Sequence, residues 1–226
     1  MKENVLTAQH SDVPAMRDGP WLVAAVGSVM VAEIIGQLPE TPRSLSLVLP
    51  LAAYLGLSLL WMLVRRKRWA DVGLTRPWLT GRTLALGIGF GALCAIPALS
   101  NHLLIERLPM RLSLVSLGLM AAALLVSSPL TELFWRGLVQ SSLEKMCRDR
   151  ATAILIATGL FMLTRIPFFA RLGSLEPLPE YLLIGFVISF AFYFTRKLPV
   201  AILANATERI LNILAHSSEM AAGMMS

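Results

Sequence analysis

The chain is poor in charge, cysteine and histidine for its length. Only 15% of its 226 residues are charged and 56% are hydrophobic, whereas a soluble protein has roughly 25% charged residues. This balance excludes an ordinary soluble enzyme and also excludes a disordered chain. The two cysteines, Cys94 and Cys147, form neither a disulfide framework nor a CxxC metal pair, so they do not indicate a redox compartment.

The three histidines are too far apart in the sequence to suggest a metal site. His10 lies in a polar tail, His102 near a predicted loop and His216 at the end of the last apolar run. Because zinc needs three or four converging ligands, we expect no metal and no other cofactor.

The hydrophobic residues are gathered in runs long enough to cross a bilayer. A helical crossing takes about 20 residues, so we predict an all-α polytopic membrane bundle of seven spans, within a range of six to eight. The runs lie at 21–38, 46–64, 83–104, 112–128 and on past Pro129, 151–169, 181–195 and 199–215. We expect 1–20 to be a polar tail and not a cleaved signal peptide, 21–215 to be a single membrane domain, and 216–226 to be a loose tail.

The basic residues predict the orientation, because arginine and lysine collect in short cytoplasmic loops. With a cytoplasmic N-terminus, the inside segments hold Lys2, Arg17, Arg65, Arg66, Lys67, Arg68, Arg76, Arg82, Lys145, Arg148, Arg150, Arg196 and Lys197, and the outside segments hold only Arg43, Arg107, Arg111 and Arg171. We therefore predict a multi-pass protein of the bacterial cytoplasmic membrane. The basic residues flank spans and form no stripe among exposed aromatics, so the expected partner is the lipid bilayer and not nucleic acid.

One apolar segment is too long for a simple crossing. From Arg111 to Lys145 there are 35 residues, which as a helix would be about 52 Å long, against a hydrocarbon core of about 30 Å. Proline cannot donate to the preceding turn, so we predict a kink at Pro129.

Small residues on two spans predict close helix packing. Gly87, Gly89 and Gly91 lie on the third span, and Gly185 lies four residues before Ser189 on the sixth. Such spacings let helix backbones approach one another within a membrane.

Six ionisable residues fall within predicted spans, where each costs roughly 2.5 to 3.5 kcal/mol and usually faces the bundle interior with a partner. They are Glu33, Glu132, Arg136, Arg165, Glu208 and Arg209. Glu132 and Arg136 are four residues apart and can pair on one helix face. Arg165 needs an acid from another span, with Glu132 and Glu208 as the first candidates and Glu33 as the third. The set predicts a polar chamber inside the bundle.

Three segments carry a family resemblance through their order and spacing. Residues 131–137 read TELFWRG, 161–165 read FMLTR, and 201–209 read AILANATER after Gly185, Ser189, Tyr193, Thr195 and Leu198. They resemble the EExxxRG, FxxxH and HxxxN motifs of the CPBP family, the CAAX-protease and bacteriocin-processing intramembrane proteases also called Abi proteins. The loop 72–77, VGLTRP, is similar to a loop of such proteins, and the resemblance covers about residues 70–215.

The resemblance implies a helix bundle around a conical polar cavity and an endopeptidase acting on lipidated CAAX tails or leader peptides. In that family the first glutamate of the pair activates water, and two histidines and an asparagine assist at the scissile carbonyl. Here the resemblance places Thr131 and Glu132 at the glutamate pair and Arg136 at the motif arginine. Arg165 and Asn205 then stand at the two histidine positions, and Arg209 stands at the asparagine position.

These replacements predict that the chain has lost the family's chemistry. A general base must accept a proton near the working pH; threonine does not, and arginine is always protonated. Only Glu132 remains as a catalytic candidate, and arginines around it would favour its ionised form. We therefore predict a pseudoprotease that binds a peptide, a lipidated tail or a partner membrane protein as a regulator or scaffold.

Two other functions stay open at this point. One is an active endopeptidase that uses Glu132 in a shifted site, with Arg165 or Arg209 stabilising the oxyanion. The other is a small transporter or channel whose intramembrane charges line a path.

Overall fold

The computed structural model describes residues 19–38, 40–100, 114–147, 149–173, 175 and 178–223, and all its regular elements in these ranges are helical. The helices are α1 Gly19–Gln37, α2 Arg43–Val64, α3 Gly81–Ser100, α4 Leu114–Glu132, α5 Ser141–Met146, α6 Arg150–Leu163, α7 Ile166–Leu172, α8 Leu178–Thr195 and α9 Leu198–Gly223. A 3₁₀ turn at Trp69–Val72 precedes α3, and a π-helical segment, Leu133–Gln140, joins α4 to α5.

Three stretches are long and apolar enough to cross a membrane: Gly19–Gln37, Arg150–Arg171 and Leu178–Thr195. Two shorter apolar helices lie at Val48–Val64 and Gly81–Ile96. Many large aliphatic and aromatic side chains on these helices point outward, among them Val23, Leu63 and Phe194, each more than three-fifths exposed. Outward apolar side chains suit a lipid surrounding, because hydrocarbon imposes no penalty on them.

The π-helical segment lies at the centre of the fold. All eight of its residues are buried, and it packs against α2, α4, α6, α8 and α9. A row of aromatic rings holds it there: Phe134 lies 5.4 Å from Tyr54, and Trp135 lies 5.6 Å from Phe161, measured between ring centroids. The segment therefore fixes the direction of the polar side chains that it carries.

The glycine prediction for the third span is confirmed at two positions of the three. A methyl group added to Gly87 would come within 2.5 Å of Leu203 Cβ, and one added to Gly91 within 2.5 Å of Thr207 Cβ. The same atom added to Gly89 would meet nothing within 4 Å. Gly87 and Gly91 are four residues apart and share the face that meets α9, whereas Gly89 lies on the opposite side.

Helix α4 does not end at Pro129. It continues in α geometry to Glu132, and the change to π geometry follows at Leu133. The predicted departure from a straight α-helix is therefore found four residues after the proline. A π segment takes up an extra residue without breaking the helix, as such bulges do at functional sites.

Two other boundaries differ from the sequence pattern. The predicted fifth span is divided into α6 and α7 by a turn at Thr164 and Arg165, with Pro167 in the first turn of α7. The backbone of α9 runs to Gly223, although 216–226 was predicted as a loose tail. The added residues include alanine, glutamate and methionine, which extend an existing helix readily.

Candidate functional site

Three of the predicted site residues meet at the junction of α4 and the π-helical segment. We call Glu132, Arg136 and Asn205 the Glu132 cluster. Glu132 is 1% exposed, and its Oε1 accepts a short hydrogen bond from Nδ2 of Asn205 on α9. Its Oε2 lies 3.4 Å from Nε of Arg136. The predicted pairing of Glu132 with Arg136 is confirmed.

Arg136 is held from two further sides. Its Nη2 donates a 3.1 Å hydrogen bond to the backbone carbonyl of Gly185 on α8. Its guanidinium carbon lies 5.5 Å from the centroid of the Phe161 ring. A methyl group on Gly185 would stand 3.1 Å from Phe161 Cδ1, so the glycine allows α8 to approach both groups.

Arg165 forms its ion pair with Glu33, the third of the three acids predicted as its partner, and not with Glu132 or Glu208. Nη1 of Arg165 lies 3.5 Å from Oε1 of Glu33 on α1, and the hydroxyl of Tyr54 on α2 donates a 2.8 Å hydrogen bond to the same oxygen. We call Glu33, Tyr54 and Arg165 the Glu33 cluster. Glu33 is buried and Arg165 is only partly exposed, so the guanidinium of Arg165 lies mainly inside the bundle.

Phe161 connects the two clusters. Its ring lies 5.1 Å from the guanidinium carbon of Arg165 and 5.5 Å from that of Arg136. An aromatic ring close to two guanidinium groups attracts both through its quadrupole, which offsets part of the repulsion between the like charges. Phe161 is therefore the side chain through which the guanidinium groups of the two clusters are linked.

The remaining predicted residues lie beside the Glu132 cluster without joining its hydrogen bonds. Thr131 is buried next to Glu132. Glu208 accepts a 2.6 Å hydrogen bond from Nδ2 of Asn212, one turn along α9. Nη1 of Arg209 lies 3.4 Å from the hydroxyl of Ser127 on α4. Arg209 therefore links α9 to α4, whereas the hydrogen bond of Glu208 stays within α9; among the described residues neither of them pairs with Arg165.

Sequence reasoning missed several polar residues in the same interior. Tyr54 was not predicted, although a tyrosine in the middle of an apolar run is a possible sign of a buried partner. Gln140 was also missed; its Nε2 donates to the carbonyl of Ser189 at 3.1 Å and to Oε1 of Glu144 at 3.0 Å. Thr158 on α6 was missed too, and it shares a 3.2 Å hydrogen bond with Ser189 on α8.

The residues at this site do not fit a divalent cation. Within the described ranges, no group of three histidine, cysteine, aspartate or glutamate side chains could hold a metal ion. Nε of Arg136 already lies 3.4 Å from Oε2 of Glu132, and the charge of this guanidinium opposes a second cation. His10 and His102 lie outside the described residues, and of His216 only the backbone is described.

Residues 113–210 match the family described as Type II CAAX prenyl endopeptidase Rce1-like. The predicted resemblance is confirmed for this segment. The segment contains all three residues of the Glu132 cluster as well as Phe161 and Arg165. The loop at 72–77 lies outside the matched residues, so its part in the resemblance stays a prediction. No curated protein and no solved structure matches the chain.

Proposed function

We propose that this chain is a catalytically inactive relative of the CAAX endopeptidases that binds a peptide, a lipidated tail or a partner membrane protein as a regulator or scaffold. The observation that supports this most directly is the occupation of Glu132. One carboxylate oxygen accepts from Asn205, and the other faces the guanidinium of Arg136. A carboxylate in that position neutralises charge and fastens two helices.

The chemistry of the neighbouring side chains supports the same proposal. The resemblance places proton-accepting histidines where this chain has Arg165 and Asn205, and neither an arginine nor an amide can exchange a proton near neutral pH. Loss of one positioned acid or base typically lowers a rate by about 10² to 10⁴. With Thr131 at the position of the family's base, several such factors would multiply.

The membrane arrangement belongs to the proposal as well. We propose seven spans with the N-terminus in the cytoplasm of a bacterium, and a single domain over 21–215. Support comes from the charge distribution along the chain and from the helices on which the apolar runs fall.

A second candidate, an active endopeptidase that uses Glu132, is favoured by one specific observation. Oε2 of Glu132 accepts no hydrogen bond from the described residues, and Nη1 of Arg136 also has no hydrogen-bond partner among them. A carboxylate oxygen with a free lone pair can accept a proton from a water molecule, and a guanidinium can stabilise an oxyanion.

Peptide cleavage in proteoliposomes distinguishes the two candidates. The substrates are a farnesylated CAAX peptide and a leader peptide, tested with the wild type, Glu132→Gln and the control Glu40→Gln, whose side chain is exposed. We expect no cleavage by any of the three and saturable binding of a peptide to the wild type. Cleavage that is lost in Glu132→Gln and kept in Glu40→Gln would overturn the proposal in favour of the active enzyme.

A further inference from the structure

A cavity of about 150 Å³ lies away from the Glu132 cluster, between the beginning of α3 and the junction of α8 with α9. Two of its lining residues, Arg82 and Lys197, are basic. Leu86, Phe194 and Val200 supply the apolar part of the lining, which we call the apolar wall. The cavity thus joins cationic groups to an apolar surface in one small space.

The two cations are available to a ligand. Neither Arg82 nor Lys197 has a carboxylate within 4.0 Å among the residues that the structure describes, in contrast to the adjacent Arg196, which pairs with Glu144. The hydroxyl groups of the lining are already engaged: that of Thr195 donates to the carbonyl of Ala191 at 2.7 Å, and that of Thr83 lies 2.9 Å from the hydroxyl of Thr80. The positive charges are therefore the groups left to meet a ligand, and they favour an anion.

Tryptophans place the cavity at the level of the lipid headgroups. The loop from 65 to 80 carries Trp69 and Trp78, each about half exposed, and amphipathic indoles concentrate at membrane interfaces. The backbone N–H of Leu198, next to Lys197, donates a 3.0 Å hydrogen bond to the carbonyl of Gly73 in this loop. The indoles and the cavity are thus parts of one fastened region.

We propose that this cavity binds the phosphate of an anionic phospholipid, with an acyl chain lying along the apolar wall. Arg82 and Lys197 meet the phosphate charge. Phe194 is 63% exposed at the end of α8 and offers the chain a surface that continues onto the lipid-facing side. A free phosphate ion would leave that wall in water, so the apolar side favours the lipid.

The site is separate from the chamber. Lys197 precedes Asn205 by eight residues, about 12 Å along a helix, and none of its lining residues belongs to the Glu132 or Glu33 cluster. Activity or inactivity of the chamber therefore leaves this proposal unaffected, and lipid binding leaves the proposed function unaffected.

Lipid titration of the delipidated, detergent-purified full chain tests the site, with bound lipids resolved by native mass spectrometry. The probes are phosphatidylglycerol, phosphatidylcholine with the same acyl chains, and inorganic phosphate. We expect phosphatidylglycerol to bind at least about tenfold more tightly than phosphatidylcholine, and Arg82→Gln/Lys197→Gln to remove about tenfold or more of its affinity, since loss of a direct hydrogen bond to a charged group costs about tenfold or more.

The matched control removes the same charge elsewhere. Lys67→Gln/Arg68→Gln alters two basic residues of the neighbouring loop that do not line the cavity, and it should bind phosphatidylglycerol within about twofold of the wild type. Equal losses in both double variants, equal binding of the two lipids, or displacement of phosphatidylglycerol by millimolar inorganic phosphate would each overturn the proposal. Should the cavity variant fail to fold, Arg82→Gln alone replaces it, because this substitution alters one exposed side chain. Its loss of phosphatidylglycerol affinity is then compared with that of the control variant.

Discussion

Arg165 pairs with Glu33, whereas the other two acids proposed for it are in contact with different side chains. Glu132 is engaged by Arg136 and Asn205, and Glu208 accepts from Asn212 on its own helix. Glu33 is left with a neutral tyrosine hydroxyl and can still gain from a cation. The sequence identified the charged residues that face the interior, but the choice among three acids depends on helix positions that spacing along the chain does not contain.

This ion pair leads to a prediction for a double-mutant cycle. Breaking a buried pair from one side leaves an uncompensated charge, which costs about 3 to 5 kcal/mol when both groups are fully buried. Since Arg165 is partly exposed, we expect Arg165→Gln to lower the free energy of unfolding by about 1 to 3 kcal/mol. Glu33→Gln should cost less, because its amide can still accept from Tyr54.

The cycle is completed by the double variant, measured by unfolding in mixed micelles. A coupling of about 0.5 to 2 kcal/mol between positions 33 and 165 is expected for groups in contact. Arg171→Gln, at an exposed residue of α7, serves as the reference and should change stability by less than about 0.5 kcal/mol. Additive effects of the two cluster substitutions would contradict an energetic link between them.

At the scale of helices, we expect alanine substitutions at two glycines of α3 to change stability in opposite directions. Alanine at position 91 would place its Cβ 2.5 Å from Thr207 Cβ and 2.6 Å from the carbonyl oxygen of Ala204. That backbone contact cannot move aside, so Gly91→Ala should lower stability by about 1 to 3 kcal/mol. Gly89→Ala meets open space and should raise it by up to about 1 kcal/mol through helix propensity. Thermal midpoints in detergent check the pair, and equal changes in both would contradict the packing of α3 on α9.

The irregular elements were the least predictable part of the fold. The sequence indicated helices and a departure from straight α geometry near Pro129, yet the π-helical segment starts at Leu133. Its register is determined by burial of Phe134, Trp135 and Arg136 against the surrounding helices, and this is information from tertiary packing. The turn at Thr164 was hidden for a similar reason, because the apolar run continues across it.

The residue before α6 makes a pH-dependent contribution to the stability of the fold. Asp149 precedes the helix, and hydrogen bonds from the backbone N–H and the hydroxyl of Thr152 hold the pKa of its carboxyl below the ordinary value. A lowered pKa in the folded state means that the stabilisation is complete above the unfolded pKa of about 3.9 and is lost as the pH falls through the folded value.

Asp149→Ser isolates this contribution, since serine caps a helix without titrating. We expect the thermal midpoint of the wild type to exceed that of the variant by a constant amount above about pH 5, and the difference to shrink below about pH 4. The measurement is a pair of melting curves in one detergent at each pH. A difference that stays constant down to pH 2.5 would contradict the capping role.

At the scale of the whole molecule, the composition predicted the helices of the fold, but the sequence did not identify what the protein binds. The apolar runs predicted where helices lie, because lipid requires every backbone group to be bonded within a helix. The spacing of Glu132 and Arg136 predicted their pairing, and Asn205 of α9 joins them in the structure. What the protein binds depends on cavities and surfaces that several helices form together, and the pattern of residues along one helix does not predict them.

The two free cysteines allow the predicted orientation to be tested in the unaltered chain. Cys94 is 1% exposed inside α3, whereas Cys147 is partly exposed between α5 and α6. If the N-terminus is cytoplasmic and seven spans follow, Cys147 lies on the cytoplasmic side beside Lys145.

A membrane-impermeant maleimide should then label the protein in inverted membrane vesicles and leave it unlabelled in right-side-out spheroplasts. Cys147→Ser should remove the label from inverted vesicles, since Cys94 becomes reactive only after denaturation. Labelling of Cys147 in intact spheroplasts would instead place the loop between α5 and α6 outside, and an additional crossing before it would then be required.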